Sequence, residues 1–272
     1  MKTLTPPAPK TGPEIFQNVG KEKSPIYFGR GVLSLLPGIL QDLDFDTLYA
    51  VADDGVERIH GEALRRTLHG VRHQVLVFPA GERSKSLQTF EALVGRLLEL
   101  GVTRRSLILG FGGGVSGNLA GFLAGTLFRG IRLAHVPTTF QAQTDSTLSR
   151  KQALNCHGKN LIGCFHTPCF TLSDTDWMAT EPRRSLLGGM SESIKNALIR
   201  GGDFHDYLVE HLDAAVAEDA EQLHDLAHQS ILSKLAILRE DPTEKGEAVI
   251  LEYGHTLAHA LEMITSGRFT HG

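Results

Sequence analysis

A chain of 272 residues with 41% hydrophobic and 21% charged side chains is long enough to bury a real core and to divide into two domains. A formal net charge of −4, with no basic stripe interleaved with aromatic residues, excludes nucleic acid as the expected partner. No secretory signal is read and no apolar run reaches about 18 residues, so no membrane span is expected.

Residues 1–13 are read as a loose tail, because Met1 to Thr11 is proline-rich and aperiodic. From there strand and helix patterns alternate. Ile26-Tyr27-Phe28 is strand-like, and Val32 to Leu43 is helical, broken or restarted at Pro37. Thr47 to Ala52 is a buried-type strand ending on Asp53, followed by a helix to Leu68. Gln74 to Phe78 repeats the pattern, then the loop with Glu82 and Lys85, then a helix from Leu87 to Leu100. Ser106 to Leu109 and Arg132 to Val136 complete the strands. This alternation predicts βαβ units and a mostly parallel sheet over residues 14–176. In such sheets ligands sit beyond the carboxyl ends of the strands, where Asp53, Glu82 with Lys85, the glycine run and Pro137-Thr138-Thr139 all fall.

The glycine run, Gly110-Phe111-Gly112-Gly113-Gly114-Val115-Ser116-Gly117-Asn118, turns a strand into a helix expected over Asn118 to Phe128. Glycines at such a turn leave backbone N–H groups bare at a helix N-terminus, where no Cβ obstructs a diphosphate and the helix dipole favours its charge. A tight turn without any ligand is the plainer alternative.

A boundary is placed near Thr175–Thr180, with an all-helical domain over 177–272: Arg183 to Ile199, Asp203 to Leu212, Glu218 to Arg239 and Ile250 to Ile264. His255 and His259 stand at i and i+4, on one helix face, as in zinc proteases. Thr256 occupies the place of the protease's general-base glutamate, so a protease is excluded by its own motif. Glu192 and His271 are further oxygen and nitrogen donors, and a carboxylate with two or three imidazoles suits a divalent metal at an open site. Cys156, Cys164 and Cys169, lying among His157 and His166, fit no standard zinc spacing and are read as reduced thiols of a cytoplasmic protein.

Several motifs occurring in order carry a specific resemblance. Gly112 to Gly121, Phe128-Arg129-Gly130, Val136 to Thr139, Asp145-Ser146, Lys151, Gly158 to Gly163 and Gly254-His255-Thr256 resemble the dehydroquinate synthase-like sugar phosphate cyclases, from about residue 25 to the last. The resemblance implies a Rossmann-like, mostly parallel α/β domain that binds NAD, then an all-helical metal-binding domain, with the active site between them. It implies NAD contacts from Asp53, Glu82, Lys85, Gly113, Gly114, Val115, Thr138, Thr139, Asp145 and Lys159. It implies Zn²⁺ or Co²⁺ on Glu192, His255 and His271. Lys151, Asn160, Lys195, Lys234 and Glu252 would hold the substrate, with His259 near the phosphate or assisting proton transfer. Arg129 would reach the phosphate from a partner subunit, implying a homodimer.

Within the superfamily, Gly117-Asn118, Leu148 to Ala153 and Leu251-Glu252-Tyr253-Gly254-His255 look like the 2-deoxy-scyllo-inosose synthases of aminoglycoside antibiotic assembly, whose substrate is glucose 6-phosphate. Dehydroquinate synthases usually read Gly-Asp and Leu-Asn at the first and last of these, with arginine where Ala248 stands. Dehydroquinate synthase, a metal-dependent alcohol or glycerol dehydrogenase, and a non-catalytic remnant are the competing readings. Family members run well beyond the third metal ligand, whereas this sequence stops at His271-Gly272. The expectation is therefore a shortened helical domain with weakened metal affinity and turnover.

Overall fold

The computed structural model describes residues 14–17, 24–241 and 244–265, except for the side chains of Glu247, His259 and Met263. The expected tail and His271 lie outside the described residues. In chain order come β1 (Glu14–Gln17), β2 (Pro25–Gly29), α1 (Leu36–Gln41), β3 (Leu48–Asp53), α2 (Asp54–Thr67), β4 (His73–Phe78) and α3 (Leu87–Glu99). These are followed by β5 (Leu107–Gly112), α4 (Gly114–Thr126), β6 (Arg132–Pro137), β7 (Lys151–Leu154), β8 (Ile162–Phe165) and β9 (Thr171–Asp174). The remainder is helical: α5 (Arg183–Arg200), α6 (Gly202–Val216), α7 (Ala220–Glu240) and α8 (His255–Ile264).

Seven strands form one sheet in the order β1-β2-β9-β6-β5-β3-β4, parallel except for β1. The alternation along β3 explains why both faces are covered. Tyr49 and Val51 point into the cluster formed with Leu93 and Leu97 of α3 and Leu119 and Leu123 of α4. Leu48, Ala50 and Ala52 point the other way, against Leu36 and Leu40 of α1 and Leu64 of α2. A third cluster, built from α5, α6 and α7, takes in Phe28 and Phe140 and so joins the helical half to the sheet. No helix among the described residues is long and apolar enough to cross a membrane.

Several local expectations are corrected. The helix after the glycine run starts at Gly114, four residues earlier than Asn118, and ends at Thr126. It starts early because Gly117 N–H already bonds the carbonyl of Gly113 at 3.0 Å. It stops short of Phe128 because Phe128 and Arg129 adopt left-handed φ of 51° and 70°. The single helix expected over Ile250 to Ile264 is a 3₁₀ turn, Glu247–Glu252, and then α8, separated by Gly254 at φ 82°.

Strands β1, β7, β8 and β9 are four residues each and lack a periodic signal long enough to read. The hairpin β7–β8 lies on α4 because Gly121 offers no side chain there: a Cβ at that position would fall inside the volume of Gln152. Asn118 fastens the two together, donating to Gly114 O and accepting from Ala153 N–H, both at 2.8 Å. An aspartate there could make only the second bond.

Candidate functional site

The sheet order reverses at β3, which has β4 on one side and β5 on the other, so α2 and α4 leave their strands toward opposite faces. A crevice opens at such a reversal. Here it has a volume of about 510 Å³ and is bounded by the ends of β3, β4, β5 and β6 together with residues 180–185. Asp53, Glu82, Lys85, Gly113, Gly114, Val115, Thr138, Thr139, Asp145 and Lys159 all line it, as does Asn160. Asn118, Ser146 and Glu181 also line it and were not singled out for a site role by sequence.

The turn from β5 into α4 has the chemistry to take a diphosphate. Gly112 sits at φ 139°, a conformation other residues rarely adopt, and a Cβ there would lie 2.6 Å from Ser116 Oγ. Gly113 and Gly114 begin the helix with no side-chain cap on its first N–H groups. Ser146 Oγ, buried beside Gly114 with no hydrogen-bond partner, faces the same spot. Asp53 caps α2 by accepting Val56 N–H at 2.9 Å, and Ser116 Oγ lies 3.3 Å from its other oxygen. These features fit a dinucleotide: bare donors for phosphate and a fixed carboxylate within the same crevice.

At the opposite wall Lys85 is 7% exposed and donates to Asn160 Oδ1 at 2.5 Å. Burial pulls its pKa down to about 8, with Glu82 opposing and Lys159 assisting. Asn155 bridges from β7 to this wall, donating to Glu82 at 2.8 Å and accepting from Asn160 N–H at 3.0 Å.

Beyond the crevice lies a second cluster. Residues Ala142–Ser146 wind as a π-helical turn, which presents Asp145 to the buried ammonium of Lys234 on α7. Burial depresses the Lys234 pKa, but Asp145 outweighs it and Glu244 and Glu192 add to the effect, so the group stays above its ordinary value. Glu192 accepts from Lys195 Nζ at 2.5 Å, and its other oxygen lies 3.7 Å from His255 Nε2. Lys195 also donates to Leu251 O at 2.5 Å. Glu252 lies 3.9 Å from His255 Nδ1 and 3.8 Å from Lys151 Nζ. Lys151 is held more closely by Glu244, at 2.7 Å, which also accepts from Ser149 Oγ at 2.8 Å. Lys159 pairs with the buried Glu262 of α8.

The structure thus brings Glu192, Lys195, Glu252, His255 and Lys151 into one cluster and joins it to the crevice through Asp145 and Lys234. Glu192 and His255 supply oxygen and nitrogen donors suited to a borderline divalent cation. Among the described residues no set of three metal-ligating side chains is assembled, and His271 lies outside them. Backbone places His259 one turn beyond His255 on α8. Arg129 is exposed and outside the crevice. Glu244 escaped the sequence reading because a lone glutamate between Thr243 and Lys245 carries no signal of its own; only the fold sets it beside Lys151.

A 3-dehydroquinate synthase N-terminal family model matches residues 75–188, and its C-terminal counterpart matches 189–272. The 2-deoxy-scyllo-inosose synthase of Niallia circulans is 40% identical over 248 residues, covering 90% of this chain and 67% of that protein. The 3-dehydroquinate synthase of Symbiobacterium thermophilum is 38% identical over 259 residues, covering 93% and 72%. A crystal structure of 2-deoxy-scyllo-inosose synthase complexed with carbaglucose-6-phosphate, NAD⁺ and Co²⁺ matches with TM-score 0.86 at 36% identity, over 95% of this chain and 72% of that one. The chain therefore spans about two thirds of the length of these relatives.

Proposed function

The chain belongs to the 3-dehydroquinate synthase family, and on that premise we propose that it is an NAD- and divalent-metal-dependent sugar phosphate cyclase acting on glucose 6-phosphate. The product would be 2-deoxy-scyllo-inosose with release of phosphate, a lyase reaction with no net change of oxidation state, as in aminoglycoside antibiotic assembly. The observation that carries this reading is the continuity of the two clusters: a crevice of about 510 Å³ at the reversal of the sheet whose wall residue Asp145 pairs with Lys234, among the carboxylates and lysines around Glu192 and His255. The likeness to the solved inosose synthase supports the substrate. Glu252, Asn118 and Ala248, where dehydroquinate synthases usually carry Asn, Asp and Arg, favour it over the heptulosonate phosphate that those enzymes take.

When bound, NAD supplies a hydride acceptor that is restored within the turnover, and Zn²⁺ or Co²⁺ supplies a Lewis acid for the hydroxyl being oxidised. The bare amides of Gly113, Gly114 and Val115 would hold the diphosphate, and Asp53, Glu82 and Lys85 would contact the rest of the dinucleotide. Thr138, Thr139, Asp145 and Lys159 complete the cofactor walls. Glu192 and His255, with His271 from outside the described residues, would hold the metal. Lys151, fixed by Glu244, stands where it can stabilise an alkoxide and exchange its proton. Lys195, Lys234, Asn160 and Glu252 would orient the sugar, with His259 assigned to the phosphate or to proton transfer. Arg129, exposed on its left-handed turn, is assigned to a partner's phosphate in a homodimer.

Phosphate release from glucose 6-phosphate with NAD⁺ and Co²⁺, and no net absorbance at the nicotinamide band, is the expected result. Net NADH would indicate a dehydrogenase instead, and release from a heptulosonate phosphate alone would indicate the dehydroquinate synthase activity. NAD⁺ affinity should fall as pH rises from about 7 to about 9, because the Lys85 ammonium exists below its pKa and is lost above it. Lys85→Arg keeps its charge over that range and should flatten the profile. A flat profile in the unaltered protein removes Lys85 from the cofactor site.

A further inference from the structure

Glu181 is a buried acid that none of the roles above uses. It follows the 3₁₀ turn Thr175–Thr180 and stands just ahead of α5, is 9% exposed, and forms part of the crevice wall. One carboxylate oxygen accepts the backbone N–H of Phe140 at 2.7 Å, and the other accepts the hydroxyl of Ser185 at 2.5 Å. Burial pushes its pKa up while these two hydrogen bonds pull it down. An apolar side chain would fill the space at lower cost in desolvation, but it could not satisfy the Phe140 amide.

Phe140 directly follows Thr138 and Thr139. Its ring is fully buried in the cluster that contains Leu186 and Met190 of α5. The same loop touches α5 again at Gly189, where a Cβ would lie 3.0 Å from the backbone nitrogen of Gln141. Loop 138–141 and α5 are therefore clamped together at both ends of one short contact. Farther along α5 stand Glu192 and Lys195.

We propose that Glu181 is a positioning residue: by accepting the Phe140 amide it fixes the Thr138-Thr139 wall of the crevice against the helix that carries Glu192 and Lys195, and so sets the nucleotide at a defined reach from the cation side. This rests on the NAD reading of the crevice. The residue touches neither cofactor nor substrate in this role. Its effect passes through the loop.

The test compares Glu181→Leu and Glu181→Gln with the unaltered protein. NAD⁺ affinity is read without metal or substrate from the fluorescence of Trp177, the chain's one tryptophan, whose ring stacks at 4.8 Å on the crevice residue His60. Amide hydrogen exchange across residues 138–146 is read alongside. Glu181→Leu should weaken NAD⁺ binding about tenfold and speed exchange at Phe140 by at least about tenfold, the scale of an unmet buried donor. KM for NAD⁺ should rise with it while KM for the sugar phosphate stays put. Glu181→Gln keeps an acceptor and should restore both to within about twofold.

Unaltered affinity and exchange in a folded Glu181→Leu would overturn the proposal. So would a Glu181→Gln as impaired as the leucine variant, since charge rather than the amide bond would then be at issue. Should the leucine variant not fold, rapid Phe140 exchange with undiminished NAD⁺ affinity in Glu181→Gln would overturn it equally. Nucleotide binding without phosphate release in the unaltered protein refutes the cyclase assignment and leaves this inference standing.

Discussion

Gly114→Asp should weaken NAD⁺ binding by at least about a hundredfold and leave the melting temperature unchanged or slightly higher. The two effects have opposite signs because one position serves two purposes. Gly114 is the first residue of α4, so a carboxylate there faces the positive end of the helix and contributes about 0.3–1 kcal/mol to the free protein. The nearest atom to a Cβ at 114 is Ser146 Oγ at 3.5 Å, an ordinary van der Waals contact, so the fold has room. The same carboxylate occupies the place and repels the charge of a diphosphate. Isothermal titration with NAD⁺ beside a thermal melt measures both. Retained affinity would show that the glycine turn is only a turn, and the dinucleotide assignment of the crevice would go with it.

Glu192→Gln should lower affinity for Co²⁺ or Zn²⁺ by at least about a hundredfold, and turnover in proportion, while NAD⁺ affinity stays within about twofold. Glu192 is the only carboxylate among the described residues placed within 4 Å of both His255 and Lys195. An amide is a poor ligand for a divalent cation and leaves the largely buried Lys195 ammonium without its charge partner. Breaking such a pair costs on the order of 3–5 kcal/mol in stability, so metal binding should be measured by equilibrium dialysis well below the melting temperature. Equal metal affinity in the two proteins would remove Glu192 from the metal site. Unequal affinity with equal turnover would remove the metal from the reaction.

The sheet could be read from the sequence wherever a strand was six residues long and apolar, as in β3 and β5, because a buried parallel strand is a continuous hydrophobic run. The crevice was legible for the same reason: its residues follow those strands directly, and strand direction alone sends them to one rim. The hairpin β7–β8 was not, because its alternation extends over four residues and its partner surface is a helix, α4, in which Gly121 and Gly125 carry no signal of their own until the hairpin is seen lying on them. The second cluster was legible residue by residue and not as a cluster. Glu192, Lys234, Glu244 and His255 come from a helix, a second helix, a loop and a third helix, and no local pattern says that they meet. Glu192 and His255 were recoverable as metal-type donors from their chemistry and Lys234 only through the family resemblance, whereas Glu244 and Glu181, which neither reading singled out, were missed.

Lys151, Lys159, Lys195 and Lys234 each already face a carboxylate, Glu244, Glu262, Glu192 and Asp145 respectively. Among the described residues these four ammonium groups are therefore matched by carboxylates and are not a reservoir of waiting positive charge. An anion entering by itself would have to strand an acid for every lysine it took. On the proposed function, a cation on Glu192 would release Lys195 without that penalty, so the expected order of binding is cation first and phosphorylated sugar second. Such a cleft is expected to be poorly disposed toward stray sulfate or phosphate and, if the proposed function holds, to take a sugar phosphate once the cation is in place.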